Sequence, residues 1–78
     1  MTHEIAIGNW LVKTEGVYEI IGFKEKGNTF CTVREVIFDD DNADDYHLGD
    51  TLYFTKEEVK NCLHFMLGYS VEPKILER

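Results

Sequence analysis

A chain of 78 residues with eight Lys plus Arg, fifteen Asp plus Glu and a net charge of −7 has room for one small domain with a thin core. Its 44% hydrophobic and 13% aromatic content, with a single proline, belongs to a folding globule and excludes a disordered or fibrous chain. No apolar run approaches the roughly 20 residues of a membrane span, and the negative balance argues against direct binding to nucleic acid or anionic membrane.

Met1-Thr2-His3-Glu4 lacks the basic flank and apolar stretch of a secretory signal, so a cytoplasmic protein is expected. Asn9 to Lys13 reads as a first strand, with Ile5 and Ile7 leading in. Thr14-Glu15-Gly16 then offers a hairpin loop, with Gly16 at the position that needs a positive φ. Val17 to Lys24 is rich in β-branched and aromatic residues and predicts a second strand. Gly27-Asn28 marks a tight turn, and Thr29 to Phe38 a longer third strand. Along it Cys31, Val33 and Ile37 alternate toward a core, while Phe30, Val36 and Phe38 crowd the other side and Glu35 breaks the pattern. A strand with two apolar faces predicts a β-bulge.

Residues 39–50 lose apolar periodicity apart from Tyr46 and Leu48, and read as an excursion before a short fourth strand at Thr51-Leu52-Tyr53-Phe54. Thr55-Lys56-Glu57-Glu58 is a capping box. Val59, Cys62, Leu63 and Met66 follow at helical spacing and Gly68 is placed as a left-handed cap, which predicts a helix of about three turns. Tyr69-Ser70-Val71 either adds a strand or frays with the tail. The fold class expected is α+β: an antiparallel meander of four to five strands with one C-terminal helix packed on it.

Charge is concentrated in one place. Residues 1–38 sum to −1 and residues 51–78 to zero, whereas Asp39, Asp40, Asp41, Asp44, Asp45 and Asp50 give residues 39–50 a charge of −6. Three readings of this segment stand side by side. It can be a solvated connection, since Asp suits turns and keeps sheet edges soluble. It can be a docking surface for a basic protein, with Tyr46 among the contacts, its carboxylates standing in for phosphates in the groove of a nucleic-acid-handling enzyme. It can be an irregular cation site: Asp40, Asn42 and Asp44 match the first half of an EF-hand loop, but Asp45 replaces the required glycine and Thr51 the bidentate glutamate. No metal or other cofactor is therefore expected.

Catalytic signals are absent from the pattern. His3, His47 and His64 are scattered, and Cys62 and His64, two apart on the expected helix, would point to different faces. There is no phosphate-cradling glycine motif, nucleophile elbow or paired Cys motif. Cys31 and Cys62 sit among apolar residues; a single disulfide between them is one reading, and two reduced, buried thiols the favoured one. Trp10 is either a core anchor or a surface hot spot, and ten Phe, Tyr and Trp residues exceed what so small a core encloses. Some of Tyr18, Tyr46, Tyr53, Phe54 and Tyr69 are expected to be exposed contacts.

Ile7-Gly8-Asn9-Trp10-Leu11-Val12 leading to Val17-Tyr18-Glu19-Ile20, with turns every eight to twelve residues, resembles the opening of SH3-like small barrels. The likeness covers roughly the first 38 residues and is closest to short proteins of that shape carried by bacterial phages and mobile elements. The expected three-turn helix departs from such a barrel, which has only a 3₁₀ turn there. The resemblance implies a non-enzymatic interaction module, many of which block a host protein, and no functional residue carries over from it. The function expected is a non-catalytic module binding a basic protein. The competing expectation is a scaffold that pairs with its own copy through a sheet edge and aromatic faces.

Overall fold

A computed structural model describes residues 2–41, 45–66 and 69–74, with side chains for 5–23, 27–41 and 45–66. The chain is mostly β. In order it forms β1 (Thr2–Glu4), β2 (Trp10–Lys13), β3 (Gly16–Lys26), β4 (Thr29–Phe38), β5 (Tyr46–Thr55), α1 (Lys56–Lys60), β6 (Leu63–Met66) and β7 (Tyr69–Lys74). The sheet order is β1-β7-β6-β2-β3-β4-β5. The six strands from β7 to β5 in that order are antiparallel, and β1 joins β7 in parallel.

Local turn chemistry explains the meander. Gly27, at φ 62°, begins the two-residue turn that joins β3 to β4, with Lys26 opposite Thr29. Gly16 departs from expectation: it opens β3 opposite Lys13, without a left-handed backbone. Gly8 takes the positive φ instead, at 96°, in the turn ahead of β2. There the buried Asn9 closes the loop, its Oδ1 accepting from the Ala6 amide at 3.0 Å while Gly8 N–H donates to the Ile20 carbonyl at 2.8 Å.

One face of the sheet carries the core. Leu11, Tyr18, Ile20, Cys31, Val33 and Phe54 pack there with Val59 and Cys62. Each fully buried aliphatic side chain, such as Leu11 or Ile20, contributes roughly 1.5–3 kcal/mol of transfer free energy. Both cysteines are free and buried, as small hydrophobes.

The bulge expected in the third strand falls at Phe30, between Thr29 and Cys31, which pair with the adjacent Thr55 and Phe54, and β5 carries a bulge of its own. Arg34 pairs with Thr51 but Val36 with Leu48, so Gly49 and Asp50 of β5 together oppose Glu35. Further shifts fall between Ile20 and Gly22 and between Phe23 and Lys26. Cys31 and Val33 are buried in the core as expected, whereas Ile37, on the same side, is 37% exposed near the strand end, and the buried Val36 lies on the other side.

The C-terminal third overturns the expected long helix. Thr55 does cap a helix through both halves of its capping box: Glu58 N–H donates to Thr55 Oγ1 at 3.1 Å, and Thr55 N–H donates to Glu58 Oε1 at 3.2 Å. That helix ends at Lys60 after five residues. Leu63–Met66 instead pairs with Trp10–Val12, because the free edge of β2 offers unmade backbone hydrogen bonds that a helix cannot satisfy. Leu63 is consequently 65% exposed and no part of a buried stripe. The cap expected at Gly68 lies outside the described residues. Tyr69-Ser70-Val71 does form strand, within β7, antiparallel to β6. Pro73 falls beyond the β6 pairing, opposite His3 of the short edge strand β1, where its missing N–H is tolerated. No helix among the described residues is long and apolar enough to cross a membrane.

Candidate functional site

The face opposite the core carries the features that need a functional account. Alternation places Trp10 and Val12 of β2, Val17 and Glu19 of β3, Arg34, Val36 and Phe38 of β4, and Tyr46 and Leu48 of β5 on that side. Trp10 is therefore not an anchor of the main core. Its ring meets Tyr46 edge-on at 5.2 Å and Phe38 at 5.7 Å, and Phe38 lies 6.4 Å from Tyr46. Such edge-to-face packing suits the ring quadrupoles. Phe38 is nevertheless 42% exposed and Tyr46 45%.

This cluster depends on a bend. In register Trp10 stands level with Glu19, and Phe38 level with Glu15. On a flat sheet two strand spacings and four residues would separate them by about 16 Å. The ring contacts observed show that the sheet curves so that the tip of the β4–β5 hairpin comes over β3, and register shifts in β3, β4 and β5, among them the bulge at Gly49–Asp50, interrupt the flat ladder. Arg34 secures that bulge: its Nε donates to the Gly49 carbonyl at 3.0 Å and its Nη2 to the Leu48 carbonyl at 2.9 Å. The guanidinium thus supplies hydrogen bonds at the irregular part of the ladder.

Glu19 lies under the rings. Its Oε1 accepts from the Trp10 indole N–H at 3.0 Å and more weakly from the Tyr46 hydroxyl at 3.5 Å. Arg34 is its direct cross-strand neighbour, yet it spends its donors on carbonyls and makes no ion pair with Glu19.

The aspartates occupy the hairpin tip beside this cluster. Asp39 N–H donates to the Asp45 carbonyl at 2.9 Å, closing the loop just beyond the Phe38–Tyr46 pair. Asp41 N–H donates to Asp39 Oδ1 at 3.1 Å, a local turn that occupies one carboxylate. Asp39, Asp40, Asp41 and Asp45 are all exposed there, and Asp44 lies outside the described residues. The excursion expected over 39–50 is shorter than supposed, because β5 begins at Tyr46. Asp50 sits at the bulge, about 13 Å of strand from Tyr46, and is not part of the tip cluster. Closure of the loop places Asp39, Asp40, Asp41 and Asp45 at one end of the sheet. Among the described residues no three of His, Cys, Asp and Glu are placed to hold a metal, while Asn42 and Asp44 of the half EF-hand pattern lie outside that description.

The Cys62–His64 geometry also differs from expectation. Both side chains are buried, Cys62 just after α1 and His64 on β6, so they do not project from opposite faces of a helix. Cys62 Sγ donates to the Glu58 carbonyl at 3.1 Å and His64 Nε2 to the Val59 carbonyl at 2.8 Å. Burial raises the pKa of Cys62 and lowers that of His64, which keeps the thiol protonated and the imidazole neutral. Burial likewise pushes Cys31 up to about 11, with smaller contributions from Cys62 and Glu58. These groups act as structural members of the core. Exposed aromatics beyond the cluster include Phe23 and Tyr53, whereas Tyr18 and Phe54 are enclosed.

The sequence pattern singles out the aspartates and Tyr46 as candidates but does not join them to Trp10, Glu19 and Phe38. The available signal was the doubly apolar β4, whose Val36 and Phe38 required a second surface to lie on. Compared with family models, curated proteins and solved structures, the chain matches none.

Proposed function

We propose that this protein is a non-catalytic binding module that receives a basic protein surface at the tip of the β4–β5 hairpin. The carrying observation is the continuity of the exposed Phe38 and Tyr46 rings, packed on the half-buried Trp10, with Asp39, Asp40, Asp41 and Asp45. Aromatic rings supply contact area that is energetically productive when desolvated, and flanking carboxylates steer a cationic partner and reject acidic ones. A nucleic-acid-handling enzyme is the class of partner that offers such a surface, and the module would act on it as an inhibitor.

The brevity of α1 supports the SH3-like likeness, because a single turn replaces the three-turn helix that departed from it. In this reading the central strands are an open version of that small barrel, of the kind carried by phages and mobile elements, acting in the cytoplasm.

The test is affinity capture from lysate by the intact protein at about 50 and 150 mM salt, the range over which surface charge is progressively screened. It is compared with a variant carrying Asp39→Asn, Asp40→Asn, Asp41→Asn, Asp44→Asn and Asp45→Asn. The expected product is a basic protein whose recovery falls with salt and with neutralisation. Recovery untouched by neutralisation refutes the proposal.

One observation favours self-association as a second reading. The ten-residue β5 ends the sheet order and exposes Leu52 and Tyr53, an edge that can pair with a copy. A salt-insensitive dimer in sedimentation would favour it over the first.

A further inference from the structure

We infer that the Trp10–Phe38–Tyr46 cluster, with Glu19 beneath it, is the receptor for an arginine side chain of the basic partner. This rests on the binding reading above and specifies its central contact. In an edge-to-face pair the positive edge of one ring meets the negative face of the other, and a cation over a remaining π-face is attracted by the ring quadrupole. The protein uses this interaction internally: Lys13 Nζ lies 5.1 Å from the Phe54 centroid, and Lys56 Nζ 5.5 Å from that of Phe30. Among the described residues no Lys or Arg lies over Trp10, Phe38 or Tyr46.

Glu19 adds the anionic element. Both of its described hydrogen bonds fall on Oε1. Its charge is not neutralised by the residue best placed to do so, since Arg34 is turned toward the Leu48 and Gly49 carbonyls. A half-buried carboxylate among aromatic rims, with exposed aspartates alongside, is complementary to a planar cation. Arginine fits better than lysine, because guanidinium can lie flat on a ring while its edge donates to a carboxylate, whereas ammonium is a compact and strongly hydrated charge. Asp39, Asp40 and Asp41 at the rim raise the local concentration of such a side chain before contact.

Trp10 is the single tryptophan, so its emission reports on this cluster alone. The probe is a short capped peptide with two arginines among leucines, titrated into the full chain, beside a counterpart in which citrulline replaces both arginines. Saturable change in Trp10 emission is expected, with the citrulline peptide about tenfold weaker, a gap of the size a desolvated cation–π contact supports. Raising salt to about 0.5 M should narrow that gap through screening. Glu19→Gln, which keeps an oxygen for the indole, should weaken the arginine peptide about fivefold through loss of the charge-assisted bond. Tyr46→Leu should weaken it comparably, and circular dichroism melts of both variants check that the fold is retained. Equal affinity for the two peptides, or an arginine response unchanged by both substitutions, overturns the inference. So does a peptide-free dimer whose formation itself shifts Trp10 emission, since a second copy then occupies the cluster. Partner capture that still depends on the aspartates while the peptides bind alike would refute the arginine receptor and leave the broader binding reading standing.

Discussion

His64 should make the stability of this protein fall in mild acid. Its side chain is 3% exposed, and its Nε2 proton is committed to the Val59 carbonyl at 2.8 Å. Burial lowers its pKa below 6.5, outweighing the opposing influence of that hydrogen bond. In the unfolded chain the ring protonates near its ordinary value, while the folded ring stays neutral to lower pH. The unfolded state therefore binds more protons below pH 6.5, so the contribution is complete above that value and is lost as pH falls beneath it. One differential proton gives a slope approaching about 1.4 kcal/mol per pH unit. Against a total stability of about 4–12 kcal/mol for a chain of this length, one pH unit is a large fraction.

The assay is urea unfolding at several pH values between about 5 and 7.5, with wild type beside His64→Phe, which keeps a ring of similar size but cannot titrate. The variant should lose about 1 kcal/mol near neutrality, where the hydrogen bond is missed, and show a shallower dependence on pH. Carboxylates and the remaining histidines are common to both proteins and cancel in the comparison. Identical slopes for wild type and variant would refute the assignment of the acid response to His64.

Cys31 should behave oppositely. Its thiol is held up at about 11 against 9.0, so its stabilising contribution is intact below pH 9 and is lost as pH rises from 9 toward 11. Iodoacetamide at about pH 8 should modify neither cysteine in the folded protein and both in urea, as read by mass spectrometry. Thr55→Ala should cost about 1 kcal/mol and lower the melting temperature by about 4–8 °C, with Thr55→Ser close to wild type in calorimetry. Arg34→Met should cost about 1–3 kcal/mol by stranding the Leu48 and Gly49 carbonyls, and Trp10 emission should shift to the red as the hairpin tip opens. An unchanged emission spectrum would show that Arg34 does not hold the tip.

Several elements of this molecule are decided within a few residues of sequence. Gly27-Asn28 supplies the positive φ that a two-residue hairpin needs, and the run from Thr29 to Phe38 is β-prone along its length. The Thr55–Glu58 capping box starts a helix by itself. The concentration of aspartates between residues 39 and 50 is likewise plain before any folding is considered. In these cases the deciding interactions lie within a turn or along a single strand.

Two outcomes required the whole chain. Val59, Cys62, Leu63 and Met66 fit a helical stripe, but a stripe of four apolar residues does not specify where the helix stops. The unpaired edge of β2 took Leu63–Met66 into the sheet, and Leu63 was left facing water. The aromatic–acidic site is the second case. Trp10, Glu19, Phe38 and Tyr46 come from four strands, and in a flat sheet Trp10 and Phe38 would not touch. Curvature of the sheet, with its bulges in β3, β4 and β5 and with Arg34 bonded to the Leu48 and Gly49 carbonyls, brings them together. Local sequence determines which segments turn, extend or cap, since those energies depend on neighbours along the chain. Competition for backbone hydrogen bonds and the curvature of the sheet depend on partners far away in sequence, so tertiary structure alone decided the end of α1 and the assembly of the site.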